Sequence, residues 1–257
     1  MTFIETHFHL DYLKALPPES IIARAKEAGV ERFITISVEP DNFKTVRDLA
    51  GRFDDLYCTQ GIHPHEASKM TPTALEEVES HGKNFKKCVA IGEIGLDYHY
   101  DHSPREKQRE VFRKQLDIAA RLGLPVVIHS RDADEDTLDI LGDFSTSLKR
   151  KGVIHSFTSG KKLAEFALEE GFYLGFNGII TFKNAQNVRD IVELTPVSKM
   201  LVETDAPFLT PVPHRGKENA PCYIPLIAQK MALIKGMELS VLAPILYENS
   251  RSLFFKT

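Results

Sequence analysis

The sequence predicts a single α/β domain of the TIM (β/α)8 barrel class over residues 1–257, and three observations support this. Short apolar, β-rich runs alternate with stretches of helical periodicity along the whole chain. The chain has 257 residues and 42% hydrophobic content, which falls in the range where an α/β barrel forms one domain. Metal-ligand side chains recur at or near the ends of the apolar runs.

Eight runs are predicted to be strands, because buried parallel strands are nearly continuous in apolar residues. Helical periodicity between the runs favours βα units, and the absence of a Gly-rich GxGxxG motif after the first run disfavours an open dinucleotide-binding sheet. The predicted strands lie at 3–9, 31–38, 55–63, 88–97, 124–131, 152–157, 172–178 and 200–205. The clearest predicted helices lie at 18–29, 104–123, 159–171 and 240–254.

Composition and charge restrict the location and the partners. The formal net charge of -4 gives no global basic field for long duplex nucleic acid, so a nucleic-acid substrate must be held locally. The start of the chain lacks the features of a signal peptide, and no segment is apolar over the roughly 18 residues of a membrane span. We therefore expect a cytoplasmic protein with no membrane partner. The sequence leaves the oligomeric state open and is compatible with a monomer.

Histidines and carboxylates at the strand ends form a candidate metal site. His7 and His9 are two apart on the first strand, so both imidazoles face the same side and can bind one ion. Glu93 lies within the fourth run, where an unpaired buried carboxylate is costly, and its two oxygens can bridge two ions. Barrel enzymes place their active sites at the C-terminal ends of the strands. The predicted ligands are His7, His9, Glu93, His129, His155 and Asp205.

These six residues suit two divalent cations better than one. We assign His7, His9 and Asp205 to the first cation. His129 and His155 are assigned to the second cation, with Glu93 between the two. Four imidazoles favour zinc, manganese or similar ions.

Catalytic and substrate-binding residues are predicted around the ligands. Asp205 is expected to accept the proton of the attacking water, and Glu203, two residues back on the same face, to orient it or act as a further base. His63 ends the third strand, Arg131 lies just beyond the ligand His129, and Arg215 lies in the loop after strand eight, so we expect these three to contact phosphate. Four phenylalanines near strand ends could stack an unpaired base, although packing is expected for most of them. They are Phe157, Phe176, Phe182 and Phe208.

The motifs resemble those of the TatD family of metal-dependent deoxyribonucleases, within the amidohydrolase-like barrels. The likeness spans nearly the whole chain, and the six predicted ligands match the family's ligand positions without substitution. It implies a (β/α)8 barrel that hydrolyses phosphodiester bonds in DNA, often from a 3′ end, with divalent metal, and it suggests that magnesium supports activity. The matching segments are THFHLD at 6–11, GIHPH at 61–65, AIGEIGLDYHYD at 90–101, PVVIHSRDA at 125–133, GVIHSFTSG at 152–160 and ETDAPFLTPVPHRGKENAP at 203–221.

The sequence therefore predicts a metal-dependent hydrolase that cleaves DNA, as a 3′–5′ exonuclease on single-stranded ends, with two divalent cations that are magnesium, manganese or zinc. One alternative is ester or amide hydrolysis, such as removal of a misattached amino acid from tRNA, because binuclear sites polarise carbonyl and phosphoryl oxygens alike. A second alternative is a non-catalytic metal-binding protein. It is disfavoured because structural sites tend to be closed and rich in sulfur.

Overall fold

Eight parallel strands form the centre of the molecule in a computed structural model that describes residues 1–255. Each strand pairs in parallel with the next, in the order β1 to β8. The segment after β8 closes the ring against β1, where Asp205 N donates to His7 O at 2.9 Å and His9 N donates to Ala206 O at 2.7 Å. The strands are β1 (Phe3–Phe8), β2 (Val30–Thr35), β3 (Leu56–Gln60), β4 (Cys88–Asp97), β5 (Val126–Arg131), β6 (Gly152–Ile154), β7 (Tyr173–Phe176) and β8 (Met200–Val202). The predicted barrel class is confirmed.

Helices alternate with these strands. The four helices predicted from periodicity are confirmed to within two residues at each end. Within the described range, no helix combines the length and the apolar character that a membrane span requires. Residues 256 and 257 of the predicted domain lie outside the described residues. The helices are α1 (Pro18–Glu27), α2 (Phe43–Arg52), α3 (Pro72–Asn84), α4 (Arg105–Leu122), α5 (Asp134–Phe144), α6 (Lys161–Glu169), α7 (Gln186–Leu194), α8 (Ile224–Ile234) and α9 (Leu239–Phe254).

Several strands end earlier than predicted, so that some candidate side chains lie just beyond a strand. β8 ends at Val202, and the chain then turns through Asp205, whose backbone φ of 58° is left-handed. β3 ends at Gln60 and is soon followed by a 3-10 turn at Pro64–Lys69. Apolar composition predicts where a strand is buried, but it does not show where the backbone leaves the hydrogen-bonded ladder. The ligand, catalytic and substrate-binding candidates displaced in this way are His9, His63, His155, Glu203 and Asp205.

Two glutamines of α4 hold the C-terminal ends of two neighbouring strands. Gln115 accepts a hydrogen bond from Ile62 N at 2.7 Å and donates to Ile62 O at 3.0 Å. Gln108 likewise accepts a hydrogen bond from Asp97 N at 2.8 Å and donates to Asp97 O at 3.0 Å. Both glutamines are fully buried, so these bonds pair backbone groups that water does not reach. α4 therefore fixes the backbone next to His63 and at Asp97.

Candidate metal centre

Histidines and carboxylates from six strands converge at the C-terminal end of the barrel. Their ligand atoms form three overlapping groups, each with all its atoms within 4.8 Å of one another. The groups are His7, His9 and Asp205, then His7, Glu93 and His155, and finally His63, Glu93 and His129. The structure thus brings together all six predicted ligands and adds His63. We call these seven side chains the ligand cluster.

Glu93 lies at the centre of the ligand cluster, and its two oxygens face different imidazoles. Its Oε2 lies 3.4 Å from His7 Nε2. Its Oε1 lies 2.7 Å from His155 Nε2 and 3.1 Å from His129 Nδ1, with His63 Nε2 at 3.4 Å. Burial raises the pKa of Glu93, but the surrounding imidazoles outweigh burial and hold the pKa well below its usual value. Glu93 is therefore an ionised carboxylate that connects the two sides of the cluster.

Asp205 lies next to His7 and His9, the two histidines at the end of β1. Its Oδ1 lies 3.5 Å from His9 Nε2 and 3.7 Å from His7 Nε2. Burial raises the pKa of Asp205, but the hydrogen bond from His9 and the neighbouring imidazoles lower the pKa overall. The Asp205 side chain is 13% exposed, whereas that of Glu93 is 3% exposed. Of these two carboxylates, Asp205 is the more exposed.

The buried imidazoles fit divalent cations. Both ring nitrogens of His7 and Nδ1 of His9 have no hydrogen-bond partner among the described residues. Buried polar atoms without partners are costly unless a ligand satisfies them. Burial, together with the neighbouring His155, lowers the pKa of His7, which favours the neutral imidazole that binds metal. Imidazoles with carboxylates at an open barrel end are typical of a catalytic rather than a structural metal site.

Asp97 holds one ligand in place, although the sequence interpretation did not single it out. Asp97 Oδ2 lies 2.9 Å from His129 Nε2 and 2.9 Å from His65 Nε2. Its Oδ1 accepts from His99 N at 3.0 Å and Tyr100 N at 2.9 Å. Burial raises the pKa of Asp97, but its hydrogen bonds to the imidazoles hold the pKa well below its usual value. Because the carboxylate occupies Nε2, His129 presents Nδ1 to the ligand cluster.

Glu203 lies behind His155 and is fully buried. Its Oε1 accepts from Ser156 N at 2.6 Å and lies 3.6 Å from His155 Nδ1. Its Oε2 has no hydrogen-bond partner in the described part of the chain. A Cβ atom at residue 175 would approach Oε2 to 2.5 Å, so Gly175 provides the space for this carboxylate. We expected Glu203 to orient Asp205, but its carboxylate contacts His155 and the backbone beside it.

Another buried carboxyl group, that of Glu5, connects β1 to the turn that carries Asp205. Glu5 Oε1 accepts from His7 N at 3.1 Å and from Thr204 N at 3.0 Å, and Oε2 accepts from Thr204 Oγ1 at 2.6 Å. Burial raises the pKa of Glu5 to about 8, despite these hydrogen bonds. Glu5 precedes His7 by two residues in a strand, and that spacing alone could have indicated a carboxylate on the ligand face.

A cavity of about 610 Å³ opens above the ligand cluster. Two of the residues predicted to contact substrate, His63 and Arg131, line this cavity, and burial lowers the pKa of His63 to about 4. The guanidinium of Arg131 lies 4.9 Å from the ring centroid of Tyr100 and pairs with no carboxylate among residues 1–255. Arg215 does not line the cavity. Its guanidinium lies 3.9 Å from the ring centroid of Phe182.

The four candidate phenylalanines differ in how far their side chains are exposed. Phe157 and Phe176 are buried in the core, and Phe182 is half-buried beneath Arg215. Phe208 is 52% exposed and lines the cavity above the ligand cluster. Only Phe208 of these four is thus an exposed aromatic face at the site.

A family model, two relatives and a solved structure relate this chain to known proteins. A family model described as TatD related DNase matches residues 4–255. A metal-dependent hydrolase of Bacillus subtilis (strain 168), named YabD and described as uncharacterized, is 39% identical over 256 residues, covering 97% of this chain and 98% of the relative. The 3'-5' ssDNA/RNA exonuclease TatD of Erwinia tasmaniensis is 35% identical over 243 residues, covering 92% of this chain and 93% of the relative. The crystal structure of YjjV, a TatD homologue from Escherichia coli K12, matches with a TM-score of 0.91 at 32% identity, covering 99% of this chain and 98% of that chain.

Proposed function

Since the chain belongs to the family of TatD related DNases, we propose that it hydrolyses phosphodiester bonds of DNA and removes nucleotides from the 3′ ends of single strands. The chain is a metal-dependent hydrolase, as the sequence predicts. The name of the Erwinia tasmaniensis relative supports both the single-stranded substrate and the direction of digestion. We place the enzyme in the cytoplasm, where reducing conditions keep its three cysteines as free thiols.

The two-sided position of Glu93 is the observation that carries this proposal. One oxygen faces His7 and the other faces His155 and His129, so the carboxylate can join two cation sites. We assign His7, His9 and Asp205 to one cation and His129 and His155 to the other. The imidazoles favour zinc, manganese or similar ions, whereas the family resemblance suggests magnesium. When bound, the cations supply Lewis-acid activation of the attacking water and charge stabilisation for the phosphoryl group.

Asp205 accepts the proton of the attacking water. Its lowered pKa keeps it ionised, and its side chain lines the cavity in which the phosphodiester would bind. Arg131 binds the phosphate oxygens, because its guanidinium lies at the cavity and has no carboxylate partner in the described range. His63 lies on the floor of the same cavity and contacts the phosphate as a neutral imidazole, in keeping with its lowered pKa.

Two buried carboxylates position the imidazoles of the second cation site. Asp97 holds His129 by its Nε2 at 2.9 Å. Glu203 lies 3.6 Å from Nδ1 of His155, which leaves Nε2 to face Glu93. Carboxylates in this arrangement fix the ring orientation and the tautomer of a metal-binding histidine. We therefore propose that Glu203 positions His155 and does not exchange protons with the substrate.

Hydrolysis of labelled DNA tests the proposed function. Metal-stripped protein would be incubated with 3′-labelled and 5′-labelled single-stranded DNA, with magnesium, manganese or zinc added back, beside an Asp205→Asn control. The proposal predicts shortening that needs both the metal and Asp205. A 3′ label would be released in the first turnover, whereas a 5′ label would remain on progressively shorter strands. Absence of cleavage with every metal, by protein that binds the metal, would contradict the proposal and favour an ester or amide substrate.

A further inference from the structure

Phe208 presents an aromatic face beside the ligand cluster, and the function proposed above does not use it. It follows Asp205 by three residues, and its ring centroid lies 6.1 Å from that of His9, with the two rings edge to face. The side chain is 52% exposed, whereas those of Phe157, Phe176 and Phe182 are buried or half-buried. A large apolar side chain at a cavity mouth is a surface that a ligand can cover.

The backbone at Phe208 is held firmly, so the exposure of its ring does not come from a loose loop. Phe208 N donates to Asp205 O at 2.9 Å, and Asn219 Nδ2 donates to Phe208 O at 2.5 Å. The next residue, Leu209, lies against Gly178, where an added Cβ atom would approach Leu209 O to 1.9 Å. A side chain on a fixed backbone has less conformational entropy to lose when a ligand stacks on it.

The cavity beside Phe208 combines a polar floor with apolar walls. The floor is the ligand cluster, and the walls include Tyr12, Val38, Ile179 and Leu209. The Tyr12 ring stacks on His9 at 5.3 Å between centroids, so aromatic faces extend from the cluster towards the mouth. This arrangement matches a nucleotide, whose phosphate is anionic and whose base is a flat apolar surface with polar edges.

We propose that Phe208 stacks the exposed base of a nucleotide at the cleaved end, so that the site binds one unpaired base together with the phosphate. This inference rests on the proposed nuclease function and adds the residue that recognises an unpaired end. Stacking tolerates every base because each base has a π face. A base inside a duplex has both faces covered by its neighbours, so Phe208 can stack only on a terminal base or on one that has left the helix.

A combination of protein variants and abasic substrates tests this inference. Single strands would carry one stable abasic nucleotide at the first, second or third position from the cleaved end, and kcat/KM would be measured for each strand. We expect Phe208→Ala to lower kcat/KM on the normal strand by about 5- to 100-fold. On the strand that lacks the stacked base, the same substitution should change kcat/KM less than about twofold. Phe208→Trp should restore most of the activity on the normal strand.

Val212→Ala is the matched control, because Val212 is an exposed apolar residue of the same loop that does not line the cavity. It should leave all rates unchanged. Circular dichroism and thermal melting of Phe208→Ala should match the wild type, since the ring is half exposed. Equal losses with normal strands and with all three abasic strands would overturn the stacking role while leaving the nuclease intact. Failure of the wild type to cleave any strand would overturn the nuclease function and this inference together.

Discussion

Replacement of Asp97 by asparagine tests whether a buried carboxylate outside the ligand cluster controls metal affinity. Asp97 Oδ2 lies 2.9 Å from Nε2 of both His129 and His65, while Oδ1 accepts the backbone N–H groups of His99 and Tyr100. Asparagine keeps the shape but has one oxygen and one NH₂ group. In one orientation the NH₂ group faces the two imidazole nitrogens, and in the other it faces the two backbone N–H groups. One of these two pairs of hydrogen bonds is therefore lost.

The expected loss follows from the number and type of these bonds. A hydrogen bond to a charged group contributes about 1.5–3 kcal/mol, and removal of a carboxylate that orients a metal-binding histidine typically lowers metal affinity about 10- to 100-fold. We therefore expect Asp97→Asn to weaken binding of the cation assigned to His129 and His155 about 10- to 100-fold. Turnover at limiting metal should fall in parallel and should recover at high metal concentration.

Metal affinity would be measured by competition with a chelator, and folding by circular dichroism. Asp132→Asn is the control, because Asp132 forms an exposed carboxylate–histidine pair with His99 at 2.9 Å, away from the cluster. It should leave metal affinity unchanged. Wild-type affinity for every bound cation in folded Asp97→Asn protein would refute the role assigned to Asp97.

Three other substitutions test the metal centre, the proposed phosphate contact of Arg131, and the hydrogen bonds that α4 makes to the barrel. Glu93→Ala should abolish turnover and reduce bound metal in a folded barrel, measured by elemental analysis, and full activity would exclude a bridging role for Glu93. Arg131→Ala should raise KM for single-stranded DNA about tenfold or more, with Arg131→Lys in between, and an unchanged KM would remove Arg131 from phosphate binding. Gln115→Leu leaves both backbone groups of Ile62 unpaired, so it should destabilise the fold by about 2–5 kcal/mol. Its melting temperature should fall by about 5–15 °C, and an unchanged value would contradict the account of α4.

The barrel could be predicted from the sequence because its strands are almost entirely buried. In β4 every residue from Cys88 to Asp97 is buried, and that run is apolar enough to be recognised without its neighbours. The strand ends were harder to predict. Asp205 lies beyond β8 because the chain turns there, and hydrophobic pattern carries no information about such a turn.

The candidate ligands could be predicted because imidazoles at strand ends are chemically unusual. The residues that position them were missed because their roles depend on pairs distant in sequence. Asp97 meets His65 across 32 residues, and Gln115 meets Ile62 across 53. For Arg215, the sequence suggested a contact that the folded chain does not favour. A cation in the loop after the last strand suggested phosphate binding, but in the folded chain its guanidinium packs on Phe182.

If two cations joined by Glu93 are needed for phosphodiester hydrolysis, the rate of cleavage must follow the binding of the second cation. Metal-free protein would be titrated with manganese while bound metal and the release of a 3′ label from single-stranded DNA are measured in the same samples. Cleavage should rise mainly between one and two bound equivalents per chain and reach its maximum at two. A full rate at one equivalent, or no cleavage at two, would show that hydrolysis does not depend on a pair of cations.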